Sequence, residues 1–198
     1  MLYVLDDDPS IRDIFKRFAD VLGLEFNCFA SGKEFLDFVT LETKGCLILD
    51  IWLPDMMGLD LLEKLCGRGS ALSVIVISGQ ADIPLTVRAI KGGAVDFLEK
   101  PFTNSAMLER IRHGIELSEK RFLEIKANSE FEGRYEKLTA REREIIQFLV
   151  DGSQNKEIAR VLNISRRTVE AHRANIKAKL EVKSISELVK RFLLAGSR

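Results

Sequence analysis

Four short strand-like runs in the first hundred residues, three of them apolar, each end in a polar or charged side chain, and helix-like stretches separate them. The run 2–5 leads into Asp6 and Asp7, 46–49 into Asp50, 74–77 into Ser78, and 95–99 into Lys100. A fifth strand-like run lies near 25–29. Runs this short, bounded by turn residues, read as strands rather than helices. Helical patterns near 9–22, 32–40, 58–66, 83–92 and 104–118 alternate with them. Such alternation leaves few folds open, because parallel strands need helical crossovers. It predicts an α/β unit: a parallel, doubly wound sheet with helices on both faces. Ligands of such sheets bind beyond the carboxyl ends of the strands, so Asp6, Asp7, Asp50, Ser78 and Lys100 are expected to line one crevice.

Those residue types suit phosphoryl transfer. Carboxylates hold Mg²⁺ (or Mn²⁺) through oxygen. One carboxylate can also act as a nucleophile and become an aspartyl phosphate. A lysine and a hydroxyl can then hold the phosphoryl oxygens. Blander readings exist for each residue alone. Asp6 and Asp7 could be helix caps and Lys100 a surface lysine. Asp8 reads as the N-cap of the helix beginning near Pro9. Asp55 and Asp60 read as loop and helix-start acids.

The apolar share of 46% and charged share of 30% suit a globular chain with a buried core. No run approaches the length of a membrane helix, and the start is too short for a signal-peptide core before Asp6. A cytoplasmic protein with no membrane partner is expected. Cys28, Cys46 and Cys66 lack metal-ligand spacing and are expected as free thiols. The net charge is zero, but its distribution is uneven. Residues 1–118 carry 18 acids and 12 bases, a balance of 12 − 18 = −6; residues 119–198 carry 12 acids and 18 bases, 18 − 12 = +6. The basic half invites a polyanionic partner.

That half reads as four short helices after a mostly polar stretch. The helix near 104–118 is expected to run on into this stretch through Phe122 and Ile125. Thr139 with Glu142 fits a capping box before the first of the four. The second covers about 156–162. Ser165 caps a third that reaches about 180, and Ser184 with Glu187 opens the fourth. On the third helix Arg166, Glu170, Arg173 and Lys177 share one face, beside a stripe of Arg167, Ala171, Ala174 and Ala178. Val169, His172, Ile176 and Leu180 should pack inward. A cationic face with small residues can enter a DNA major groove; a lone helix of this kind is more often just a solvated face.

Two resemblances follow from these residues. Leu5-Asp6-Asp7-Asp8-Pro9-Ser10, the segment from Asp50 to Gly58, Ser78-Gly79 and the segment from Gly93 to Phe102 resemble the receiver domain of two-component response regulators. Leu138 to Glu144, Asn155 to Ala159, Ile164 to Arg173 and Lys179-Leu180 resemble the LuxR-type helix-turn-helix. Together they place the chain with the NarL/FixJ class, nearest the FixJ branch. The resemblance implies a flavodoxin-like receiver at 1–118 with strand order 2-1-3-4-5, a helical or polar linker at 119–136, and an all-α DNA-binding domain at 137–198.

It further implies a transcription regulator switched when a sensor histidine kinase phosphorylates Asp50. Metal would be held by Asp6, Asp7, Asp50 and the backbone carbonyl of Trp52. Ser78 and Lys100 would bind the phosphoryl group, with Phe97 as the aromatic switch and Lys100-Pro101 as the cis-proline position. Glu170, Ala171 and Ala174 would approach base edges. Lys156, Arg166, Arg167, Thr168, Arg173 and Lys177 would hold phosphates of double-stranded DNA. A homodimer on phosphorylation and RNA polymerase are the further partners implied. The chain is not expected to be an enzyme beyond its own Mg²⁺-dependent phosphoryl transfer and autodephosphorylation. Two rivals carry different chemistry. A haloacid-dehalogenase-like phosphatase would want an acid where Trp52 stands. A receiver used only for protein docking would not need the whole site.

Overall fold

The computed structural model describes residues 1–80 and 82–195; the last three positions of the expected 137–198 domain lie outside them. The chain divides into two compact units, Met1–Leu123 and the residues from Glu124 on.

In the first unit, β1 (Leu2–Leu5), β2 (Phe26–Phe29), β3 (Cys46–Asp50), β4 (Ser73–Ser78) and β5 (Asp96–Glu99) form one parallel sheet in the order β2-β1-β3-β4-β5. This is the order the resemblance implied. Helices α1 (Pro9–Leu22), α2 (Gly32–Phe38), α3 (Gly58–Gly67) and α4 (Ile83–Lys91) make the crossovers, and α5 (Asn104–Glu136) follows β5. Successive strand residues face opposite sides of the sheet. Leu5, Leu47, Leu49, Val74 and Val76 pack with α2, α3 and α4. Leu2, Val4, Ile48, Ile75 and Ile77 pack with Phe15 of α1 and with Met107 and Ile111 of α5. Burial on both faces explains why β3 and β4 are almost wholly apolar until their final residue.

Local chemistry sets the helix starts. Asp8 caps α1 by accepting the Ser10 amide, with Pro9 at the first position. Ser31 caps α2 through the Glu34 amide at 3.3 Å, while Glu34 reaches back to the Ala30 amide rather than to Ser31 itself. The expected helix continuation is realised and goes further: α5 runs through Phe122 and Ile125 to Glu136. Its Ser118 hydroxyl accepts the Gly45 amide at 2.7 Å, and Glu119 pairs with Lys44 at 2.8 Å.

In the second unit, α6 (Ala140–Val150), α7 (Asn155–Val161), α8 (Arg166–Leu180) and α9 (Ile185–Ala195) surround a core of Ile145, Ile146, Leu149, Ile158, Val169, Ile176, Leu180 and Leu188. Phe131, from the last turns of α5, joins that core. The capping box of Thr139 and Glu142 forms as expected, and Ser165 caps α8. Left-handed Asn163 (φ 51°) turns the chain between α7 and α8, a conformation Asn tolerates better than most residues. No helix among the described residues is long and apolar enough to cross a membrane. Cys28, Cys46 and Cys66 are all free.

Candidate phosphoryl-transfer site and DNA-binding face

Three of the predicted residues meet at the carboxyl edge of the sheet. The Lys100 ammonium lies 2.8 Å from Asp6 Oδ2 and 2.7 Å from Asp50 Oδ1. Asp6 and Asp50 are buried, at 1% and 6% exposure. Each carboxylate spends its second oxygen on a backbone amide: Asp6 Oδ1 accepts Asp8 N–H at 2.9 Å, and Asp50 Oδ2 accepts Trp52 N–H at 2.7 Å. Burial pushes the Asp6 carboxyl above its ordinary value, against the pull of Lys100. Burial also pulls Lys100 down, but its hydrogen bonds to Asp50 and Asp6 outweigh this and raise it. The ammonium therefore stays charged and offsets part of the acids' repulsion.

The other predicted residues surround this trio. Asp7 is exposed, and its carbonyl, with that of Asp6, accepts the Arg12 guanidinium. Ser78 is fully buried at the end of β4, where its hydroxyl donates to Gln80 O at 2.8 Å and accepts Gln80 N–H at 3.1 Å. Its carbonyl receives the Lys100 amide at 2.8 Å, and the Lys100-Pro101 bond is cis. Phe97 is half-buried against the core that α4 helps to form. Trp52 is 54% exposed, and its backbone pairs with Met57 in an isolated antiparallel bridge.

The side chains of Asp6, Asp7 and Asp50 offer only oxygen, which suits a hard cation. No three acid, histidine or cysteine side chains converge on a metal position among the described residues. Lys100 stands between Asp6 and Asp50, and Asp7 does not join them.

Sequence reasoning missed several supporting contacts. Arg88 on α4 bonds Asp60 at 2.6 Å and Glu63 at 3.0 Å, both on α3, and touches Met57 Sδ. Asp55, read as a loop acid, accepts two amides of α2. A surface acid with several possible partners carries no signal for either contact.

On α8, Val169, Ile176 and Leu180 are buried and His172 is half-buried, the inward stripe expected. Arg166, Arg167, Thr168, Glu170, Ala171 and Ala174 are exposed, as is Lys156 on α7; Arg173 and Lys177 are half-buried. Glu142 is 3% exposed and receives Lys179 from the last turn of α8 at 2.8 Å. Burial would raise this carboxyl, but Lys179 and the Thr139 amide and hydroxyl together hold it below its ordinary value.

An acid–lysine cluster at a parallel sheet edge, carried in one chain with a basic-faced helix-turn-helix, defines a class of switch proteins that couple site chemistry to nucleic-acid recognition. The comparisons give that class its family. Residues 2–112 match the response regulator receiver domain, and residues 136–192 match the bacterial regulatory proteins of the luxR family. The response regulator protein TodT of Pseudomonas putida is 40% identical over 190 residues, spanning 96% of this chain and 84% of that one. The transcriptional regulatory protein FixJ of Azorhizobium caulinodans is 40% identical over 195 residues, 98% of this chain and 92% of that one. The solved structure of the response regulator StyR superposes with a TM-score of 0.77 at 37% identity, covering 96% of both chains. The chain belongs to the response regulators, in the branch that joins a receiver domain to a LuxR-type DNA-binding domain near FixJ.

Proposed function

We propose that this regulator is switched by phosphorylation of Asp50 and controls transcription through α8. The observation that carries this reading is the Lys100 ammonium held between Asp6 and Asp50 at the sheet edge. A sensor histidine kinase is the donor. An Asp50 oxygen attacks the phosphorus of the kinase's phosphohistidine, the P–N bond breaks, and the imidazole leaves. The product is an acyl phosphate on Asp50. When bound, Mg²⁺ (or Mn²⁺) neutralises the charge developing on the phosphoryl oxygens. Asp6, Asp7, Asp50 and the Trp52 carbonyl are the groups that would hold it. Lys100 releases Asp50 and takes a phosphoryl oxygen instead. Hydrolysis by water resets the site.

Ser78 relays the change. Its hydroxyl exchanges Gln80 for a phosphoryl oxygen, and Phe97 turns into the space opened. The face of α4 and β5 repacks as a result. That face already presents Ile83, Val87 and Ile90 to solvent, at spacings that share one helix side. A homodimer formed there suits a DNA site with two half-sites. Within the recognition unit, Glu170, Ala171 and Ala174 read base edges. Lys156, Arg166, Arg167, Thr168, Arg173 and Lys177 hold phosphates, and RNA polymerase is the downstream partner. We assign 1–118 to the receiver, 119–136 to the link and 137–198 to DNA binding.

The test is mass spectrometry of the full chain after incubation with Mg²⁺ and acetyl phosphate. One added phosphoryl group, lost in Asp50→Asn, is the expected result. Label that survives this substitution would move the site elsewhere.

A further inference from the structure

The loop between β3 and α3 carries the Trp52 carbonyl, and one end of it is docked on another helix. Asp55 Oδ1 accepts the Gly32 amide at 2.9 Å, and Oδ2 accepts the Lys33 amide at 2.8 Å. These are the first amides of α2, which no intrahelical carbonyl can satisfy. Ser31 takes only the next one, that of Glu34. Asp55 is thus a fork from the site loop into the start of α2.

A second observation shows that the joint is fitted. A Cβ on Gly32 would lie 2.5 Å from Met56 Sδ, 2.7 Å from its Cγ and 2.9 Å from its Cε. These are atoms of a flexible side chain, so the contact shows close packing of Met56 on the start of α2, and Met56 could shift to admit a methyl group. The other end of the loop is constrained by backbone rather than by a side chain. Gly58 N–H donates to Ile51 O at 2.7 Å, and a Cβ on Gly58 would lie 2.1 Å from the Asp50 carbonyl oxygen.

We infer that Asp55, seated on Gly32, is a positioning residue that holds the 51–57 loop, and with it the Trp52 carbonyl, in register for the metal. This rests on the metal reading of the Asp50 site given above. Asp55 would not touch the metal; it would fix the backbone that does. Freed from α2, the loop would keep its Trp52–Met57 bridge but lose its outer support. Groups that orient a metal's ligands typically change its affinity about tenfold or more when removed.

The experiment titrates the full chain with Mg²⁺ and follows Trp52 fluorescence, checked by calorimetry, in the parent and in Asp55→Ala, Gly32→Ala, Asp55→Asn and Ser31→Ala. Asp55→Ala is expected to weaken Mg²⁺ binding about tenfold; Gly32→Ala keeps both amides that Asp55 accepts and should weaken it less. Asp55→Asn, which keeps one acceptor oxygen, should recover part of the loss. Ser31→Ala removes a cap from α2 without touching the loop and should bind Mg²⁺ like the parent. Parent-like affinity in Asp55→Ala, or an equal loss in Ser31→Ala, would overturn the positioning role. A parent that binds no Mg²⁺ by calorimetry would instead overturn the metal reading, and the inference with it.

Discussion

The Arg173 guanidinium on α8 donates to the side-chain oxygen of Asn155, at the first position of α7, across 2.5 Å. Eighteen residues separate the two in sequence. The bond ties the cationic face of α8 to the helix before it and leaves the other guanidinium donors for a phosphate.

This contact makes the first prediction. Arg173→Ala should weaken DNA binding on all sequences and lower the salt slope by about one unit. Asn155→Ala should weaken it less. The double variant should match Arg173→Ala alone, because Asn155 acts through the arginine. Full additivity in a salt-dependent binding assay would show that the two work separately.

Reading of bases and holding of phosphates should separate by experiment. Lys177→Ala should lower affinity for every duplex alike. Changes at Glu170 or Ala174, both exposed on α8, should reorder the preferred sequences. Selection from a random duplex library checks this. An unchanged preference after replacing Glu170 and Ala174 together would remove them from the reading face.

Acid should loosen the second unit first at α6. The Glu142 carboxyl is held below its ordinary value, so its stabilising contribution is complete above the usual glutamate range. It fades as pH falls through the lowered value. Glu142→Gln should cost about 1–2 kcal/mol near neutral pH and flatten that dependence. Hydrogen exchange of the α6 and α8 amides, measured against pH on the full chain, reports both effects.

Ser73 offers the opposite case. Its hydroxyl is wholly buried in β4 and has no hydrogen-bond partner among the described residues, while its amide donates to Gly45 O. Removing an unpaired buried hydroxyl removes a desolvation cost, so Ser73→Ala should stabilise the first unit by about 1 kcal/mol. Denaturant unfolding followed by Trp52 fluorescence is the measurement. A destabilised variant would mean that the hydroxyl has a partner.

The trio of Asp6, Asp50 and Lys100 was legible because each residue ends a short strand-like run, and parallel strands bring such ends together. Helix starts were legible for a similar reason: Asp8, Ser31, Thr139 and Ser165 act within three residues of themselves. The strand order needed the family resemblance, since periodicity is blind to which strands are neighbours. Asp55, Arg88 and Asn155 were not legible. Their partners lie 18 to 28 residues away, and any exposed polar side chain has several candidates at that range. The far end of α5 was hidden differently. Phe131 and Tyr135 are isolated apolar residues in a polar stretch, and only the second unit's core makes sense of them.

The Ser78 hydroxyl closes on the backbone of Gln80, two residues on, and on no distant group among the described residues. One such bond is worth roughly 0.5–1.5 kcal/mol net. Acting alone, it would hold back the switched arrangement by about a factor of ten or less. In the proposed switch, the unphosphorylated protein is then biased rather than barred. A cell that makes more of it would shift transcription of its targets before any signal arrives, so the sharpness of the response would depend on copy number as well as on the kinase.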